Sequence, residues 1–315
     1  MKAKNNTAIK KPFFNKREIQ KDFRRHWPIY VLILPVLAYF IVFHYIPMGG
    51  IIIAFQKYSP RKGILKSTWV GLENFINFFG SYYSWRIIKN TFLLSVYNIL
   101  VTFPAAIILA LCLNEVSNKA FKKSVQTISY MPYFISTVVA CTLIIDFCKT
   151  SGLFNQILGV FGFASRNLLG DPSLFRTIFV GSELWQRVGY NSIIYMAALA
   201  SVDQELYEAA TIDGANRWSQ TLHVTLPCIS STIVITLILR LGSIMSIGFE
   251  KVILLYSPST YQTADIISSF TYRRGLVEAD YGFSAAVGLF NSVVNLVILL
   301  AANGLSKRIS DTSLF

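Results

Sequence analysis

The chain has 315 residues, 53% of them hydrophobic and only 14% charged. A soluble domain carries about 25% charged residues, so this shortfall, with several apolar runs of about 20 residues, excludes an ordinary soluble fold and points to a multi-spanning membrane protein. The net charge of +13 lies in one tail and in short connections rather than in a stripe, which argues for membrane topology and anionic lipid and against nucleic acid.

In chain order, residues 1–27 form a basic polar tail, with nine Lys and Arg from Lys2 to Arg25 against Glu18 and Asp22. The apolar run that follows is too long for a signal-peptide core and carries no A-x-A cleavage site. The tail therefore reads as cytoplasmic, with an interfacial helix near residues 13–23. The first span is predicted over 29–45, anchored by Trp27 and Tyr45 and kinked at Pro35. Residues 28–89 combine this helix with an extracytoplasmic loop, whose aromatics from Trp69 to Trp85 suit a membrane surface. Five more spans are predicted within 90–306, at 91–113, 127–147, 174–199, 226–249 and 283–305. The Gly-rich connection 148–172 reads as a loop with a short helix at 153–160, and 250–280 reads as a loop. Residues 307–315 are a second tail.

The fold class is thus all-α, with six transmembrane helices. Six spans put both termini on one side. The overall Lys and Arg bias between the two sides is weak, so the basic tail beside the first span decides that this side is the cytoplasm. Residues 201–227 fall on the same side although they are net acidic.

No constellation for catalysis appears. The nearest string to a phosphate-binding loop, Gly63-Ile64-Leu65-Lys66-Ser67-Thr68, lacks the first glycine and the spacing. His26, His44 and His223 are scattered. Cys112, Cys141, Cys148 and Cys228 form no C-x-x-C pair and have no His at ligand spacing. The expectation is no catalytic residue, no metal site and no cofactor held by this chain.

The segment Ser201–Pro227 is a polar insertion between two apolar spans. Ser201 or Asp203 suits a helix N-cap, and Glu205 and Glu208 follow at the positive helix end. Ala209 and Ala210 leave a low face for close approach. Gly214 suits a left-handed helix stop. A second short helix is predicted over 216–224, and Pro227 falls in the first turn of the next span.

Glu208-Ala209-Ala210, then Asp213-Gly214-Ala215, then Val224 and Leu226-Pro227 resemble the coupling motif of permeases in binding-protein-dependent ABC importers, with Val224 where Ile is more usual. Trp69 to Phe75, Asn90-Thr91, Tyr130 to Ser136, Gly248-Phe249-Glu250 and Ala285 to Phe290 are similar to the carbohydrate-uptake branch, and within it to permeases for complex oligosaccharides. The resemblance implies a type I importer permease: a first helix added to a five-helix core at 90–306, with cytoplasmic coupling helices in 201–227. It implies a multi-pass protein of the bacterial cytoplasmic membrane with both termini cytoplasmic. The implied partners are a second homologous permease, two cytoplasmic ATPases that hold ATP-Mg, and an extracytoplasmic solute-binding protein. Glu208, Ala209, Ala210, Asp213, Gly214, Ala215, Leu226 and Pro227 would couple to an ATPase. Glu208 would meet a basic residue there.

Within the spans, Arg240 is a charge in mid-helix that needs a wet cavity or a carboxylate, with Glu183 or Glu250 as mates. Trp185, Gln186, Tyr190, Asn191, Tyr195 and Asn291 suit a sugar path, since aromatic faces stack on sugars while amides and hydroxyls bond their hydroxyl groups. Asn98 is a further candidate. Interhelical packing is the alternative for each. A permease for a non-sugar solute and an ion-coupled secondary transporter are the alternatives for the whole chain; the second predicts inverted repeats and intramembrane carboxylates, but no clear repeat appears and the spans carry few carboxylates.

Overall fold

The structure, a computed structural model, describes residues 16–309 and Leu314. Contacts divide the chain into two units, Met1–Ile52 and Ile53–Phe315.

In the first unit, α1 (Lys16–Phe40) continues through a π turn, Ile41–Tyr45, into a last turn, Ile46–Met48. Helix therefore begins by Lys16, inside the predicted tail. Of the interfacial helix expected at 13–23, residues 16–23 are part of α1 and the rest lie outside the described residues. The backbone kink falls at His26 (φ −117, ψ 19), ahead of Pro28, and not at Pro35. Pro47 removes an N–H, and its ring would meet the Phe43 carbonyl in a regular helix. The π turn relieves this: the Ile46 N–H reaches back to the Ile41 carbonyl.

The second unit opens with a 3-10 turn from the first, Gly49–Phe55, and an antiparallel ribbon of β1 (Gln56–Lys57) and β2 (Thr68–Trp69). Then come α2 (Glu73–Gly80), α3 (Ser84–Glu115), α4 (Lys119–Tyr130), α5 (Thr137–Cys148), α6 (Leu153–Val160) and α7 (Pro172–Ala200). They are followed by α8 (Gln204–Ile212), α9 (Arg217–Gln220), α10 (Leu226–Leu241), α11 (Phe249–Leu255), α12 (Ile267–Tyr272) and α13 (Tyr281–Ile309).

Five stretches of the described residues are long and apolar enough to cross a membrane: Phe23–Phe55, Ser84–Glu115, Thr137–Val160, Arg217–Leu241 and Tyr281–Arg308. The sixth span is α7. At 29 residues it is about 43 Å long, ample for a bilayer, but Arg176, Glu183 and Arg187 reduce its hydropathy. This helix is the centre of the unit. It packs most extensively on α3 and also touches α4 and α10. The contact with α3 uses small side chains: Ala106 and Ala110 are buried against Tyr195 and Leu199. Inside a bilayer such close approach is what holds helices together, because lipid competes equally for apolar surface. Gly189 serves the contact with α4, where any Cβ would run into the Ser129 carbonyl. Asp171 starts α7 by accepting hydrogen bonds from the Ser173 hydroxyl and amide, and these hold its carboxyl below the ordinary carboxylate range.

Three predicted elements differ. The span at 127–147 is divided: α4 ends at Tyr130, a 3-10 turn runs over Met131–Phe134, and Ser136 caps α5. Pro132 lies within that turn, where continued helix is disfavoured. The span at 226–249 ends early, at Leu241. Asn295 holds the break, accepting from the Met245 amide at 2.9 Å and donating to Ser246 Oγ at 2.9 Å. The region 250–280 is a folded cap rather than a loop. Asp265 is fully buried there and accepts from Arg273 Nη1 at 2.9 Å and Nη2 at 2.6 Å. Burial pushes the Arg273 pKa down, but hydrogen bonds and charge from Asp265 and Tyr256 outweigh it and leave it above its ordinary value. The cap docks on the starts of α3 and α7. Asn90 donates to the Asp265 carbonyl, Thr91 Oγ1 accepts from the Ile267 amide, and Thr263 Oγ1 donates to the Pro172 carbonyl.

Candidate functional site

The segment 201–227 folds as two helices at a sharp corner. Asp203, not Ser201, is the N-cap of α8, accepting from the Glu205 amide at 3.0 Å; the Ser201 hydroxyl donates instead to the Ala198 carbonyl. The helix ends in a paired closure. The Gly214 amide donates to Thr211 O at 3.0 Å and the Ala215 amide to Ala210 O at 2.9 Å. This Schellman arrangement needs a left-handed residue at its end, and Gly214 supplies it with φ +79. Asn216 then caps α9 through the Ser219 amide at 2.8 Å. No residue of α8 is buried. Glu208 and Ala209 are exposed, Ala210 is half-buried, and Ile212 is 87% exposed.

The outer face is free while the inner face is tied. Tyr207 meets Thr225 through its hydroxyl at 3.0 Å. Gln220 Nε2 donates to Thr211 Oγ1 at 3.0 Å and to the Ala215 carbonyl at 3.1 Å. Arg217 pairs with Glu115 at the end of α3 at 2.8 Å. Pro227 lies in the first turn of α10, as expected, although helical structure begins before it. A continuous helix runs from Arg217 to Leu241, and a π turn at Thr221–Thr225 lets it pass the proline, with the Leu226 N–H donating to Thr221 O. The Tyr207, Thr225 and Gln220 bonds were not legible because each reaches across the corner and not along one helix.

Of the candidate path residues, Tyr190, Asn191, Tyr195 and Arg240 come together. They line a cavity of about 490 Å³ between α3, α7 and α10. Tyr190 stacks flat on Tyr133, centroids 3.7 Å apart and 1° from parallel. The buried Tyr195 hydroxyl meets Thr236 Oγ1 at 3.0 Å. Arg240 also lines a second cavity, of about 260 Å³, with Asn98, Glu183 and Arg187. The other three do not join this set. Gln186 is buried and donates to the Ile135 carbonyl at 3.2 Å, bracing the turn before α5. Trp185 is 43% exposed and lines neither cavity. Asn291 donates to Ser246 Oγ at 3.3 Å and lines a separate cavity beside Phe249.

Arg240 is not in mid-helix. It occupies the last turn of α10, where a positive charge suits the helix dipole. Nor is Glu183 its mate. Glu183 Oε2 takes Arg187 at 2.9 Å and Oε1 takes Lys251 at 3.0 Å. Lys251 is the functional-site neighbour that sequence reasoning missed: its side chain is 2% exposed and it lies on α11, far from Glu183 in sequence. Among the described residues no His, Cys, Asp or Glu group can hold a metal ion.

Comparison with known proteins fits this geometry. The family described as "Binding-protein-dependent transport system inner membrane component" matches residues 102–311. Protein LplB of Bacillus subtilis (strain 168) is 41% identical over 93% of this chain and 92% of its own length. The polygalacturonan/rhamnogalacturonan transport system permease protein YteP of the same organism is 41% identical over 91% of this chain and 90% of its own. A crystal structure of a bacterial alginate ABC transporter, in complex with an alginate pentasaccharide-bound periplasmic protein, contains a chain 43% identical. It superposes with a TM-score of 0.87 over 94% of this chain and 100% of that one. The helical span pattern, the capped corner at Gly214 and these matches together make this chain a member of the binding-protein-dependent transport system inner membrane components.

Proposed function

We propose that the chain is the translocation subunit of an ATP-driven ABC importer that moves a carbohydrate, an oligosaccharide in particular, by alternating access. It works beside a second, homologous permease. Two cytoplasmic ATPases hold ATP-Mg and hydrolyse it, and an extracytoplasmic solute-binding protein delivers the sugar. Both termini and the 203–227 corner are cytoplasmic. The names of YteP and of the alginate transporter support the sugar class. Membership of a binding-protein-dependent family leaves no room for the ion-coupled alternative.

The observation that carries the mechanism is the α8 corner. Its outer face, with Glu208 and Ala209, is open to a partner, and its inner face is bonded to a helix that continues into the membrane as far as Leu241. Movement of an ATPase surface against α8 is passed to α10 with little slack. Glu208 meets a cationic residue on the ATPase. In proteoliposomes containing the complete assembly, Glu208→Ala and Gly214→Asp abolish ATP-driven sugar uptake while the permease pair still assembles. Uptake at the unmodified rate in either variant would remove this role.

A further inference from the structure

We propose that Arg240 is the receptor for an acidic group on the transported solute, so that the substrate is a uronate-bearing oligosaccharide. This rests on the carbohydrate reading above and narrows it.

The argument begins with charge. Arg240 lies in a membrane span, where an ionised side chain requires a counter-charge or water. The helix dipole at the end of α10 favours a cation but does not neutralise one. Among the described residues the guanidinium has no ion-pair or hydrogen-bond partner. The nearest carboxylate in the shared cavity is Glu183, and both its oxygens are engaged, by Arg187 and by the buried Lys251. Among the described residues Glu183 is thus the one carboxylate lining the second cavity, it is shared by Arg187 and Lys251, and Arg240 faces the same cavity without a carboxylate of its own.

The surroundings then describe the anion. A guanidinium is planar and bonds a carboxylate through two parallel N–H groups, a geometry that Lys lacks. On one side of Arg240 lies the 490 Å³ cavity, with Tyr190 and Asn191, a size suited to a ligand of several rings. On the other side lies Asn98, whose Oδ1 is buried without a hydrogen-bond partner. An orphaned acceptor of this kind suits a sugar hydroxyl. Arg187 sits over the Tyr133 ring at 6.0 Å, and Tyr133 stacks on Tyr190, so aromatic surface and positive charge are continuous. A neutral sugar would leave Arg240 uncompensated, whereas each uronate offers a carboxylate beside ring hydroxyls.

The test is equilibrium binding to the detergent-solubilised full assembly without its solute-binding protein, so that only the membrane path selects. The probes are a trigalacturonate, its methyl ester and glycerol 3-phosphate. The wild type binds the acid more tightly than the ester by about 10- to 100-fold, the range for one charged hydrogen-bond partner. Arg240→Gln brings this ratio close to one, and Arg240→Lys gives an intermediate ratio. The ratio is insensitive to the fraction of folded protein. If Arg240→Gln weakened both sugars equally, the guanidinium would be serving a carboxylate of the second permease, and the proposal would be overturned. Preference for the ester in the wild type would overturn it while leaving the carbohydrate reading intact. Arg240-dependent binding of glycerol 3-phosphate alone would remove the carbohydrate reading itself.

Discussion

Single residues carry much of the design, and the buried ion pair is the strongest case. Lys251 and Glu183 meet at 3.0 Å inside the core between α7 and α11. Removing Glu183 strands the buried Lys251, at a cost of about 3–5 kcal/mol, whereas Glu183 keeps Arg187 when Lys251 is lost. Glu183→Gln therefore yields little folded protein, and the double variant Glu183→Gln with Lys251→Met recovers part of it; thermal unfolding in detergent measures both. Gly189 is a second such point. A methyl group there would collide with the Ser129 carbonyl, so Gly189→Ala costs about 1–3 kcal/mol and lowers the melting temperature. Glu183 and Arg187 were visible in the sequence as charges in an apolar run. Lys251 was not, because it looked like one cation among several in a polar loop, and only the folded cap brings it to Glu183. The same applies to Arg240. Its residue type marked it, but its place in the last turn of α10 depends on a helix break that Asn295 enforces from α13.

At the scale of elements, the α8 corner was the most legible part of the chain. Its stop is a local matter: Gly214 and the small step at Ala209-Ala210 carry their information within one turn. What was not legible is the attachment. The Tyr207–Thr225 hydroxyl contact and the two Gln220 bonds make α8, α9 and the start of α10 one body. Tyr207→Phe removes one hydrogen bond, worth about 1 kcal/mol, without disturbing the exposed face. The expected outcome is a fall in sugar moved per ATP hydrolysed, read by measuring uptake and phosphate release in the same vesicles. An unchanged ratio would mean the corner is held by packing alone. The apolar spans were legible to within a few residues where the helix is regular and apolar to its ends, as in α13, whereas α3 starts at Ser84, ahead of the predicted 91, because its first turns are polar. They were misjudged where proline decides the local backbone. Pro132 divides a span that hydropathy draws as one, and the π turn ahead of Pro227 carries the helix of the fifth span back to Arg217, before its predicted start.

For the whole molecule, the orientation has a direct test. A cysteine at Ile212, which is 87% exposed, reacts with an impermeant maleimide only when the cytoplasmic face is open to it. One at Tyr82, 88% exposed, reacts from the opposite face, in a background where the exposed Cys112 and Cys228 are replaced. Labelling of both from one side would reverse or remove the proposed topology. The π turn before Pro227 has a consequence of its own for how the assembly transmits motion. A π turn holds one more residue than an α turn, so the Arg217–Gln220 end of the shaft is out of phase with the membrane end by one residue, about 100°. Phase, more than length, then sets which way the corner faces. Deleting Leu222 would shorten the shaft by only about 1.5 Å, yet it would rotate Arg217 away from Glu115 and Gln220 away from Thr211. The corner is geared to the span, and a single tooth removed would leave every helix in place and the drive disengaged.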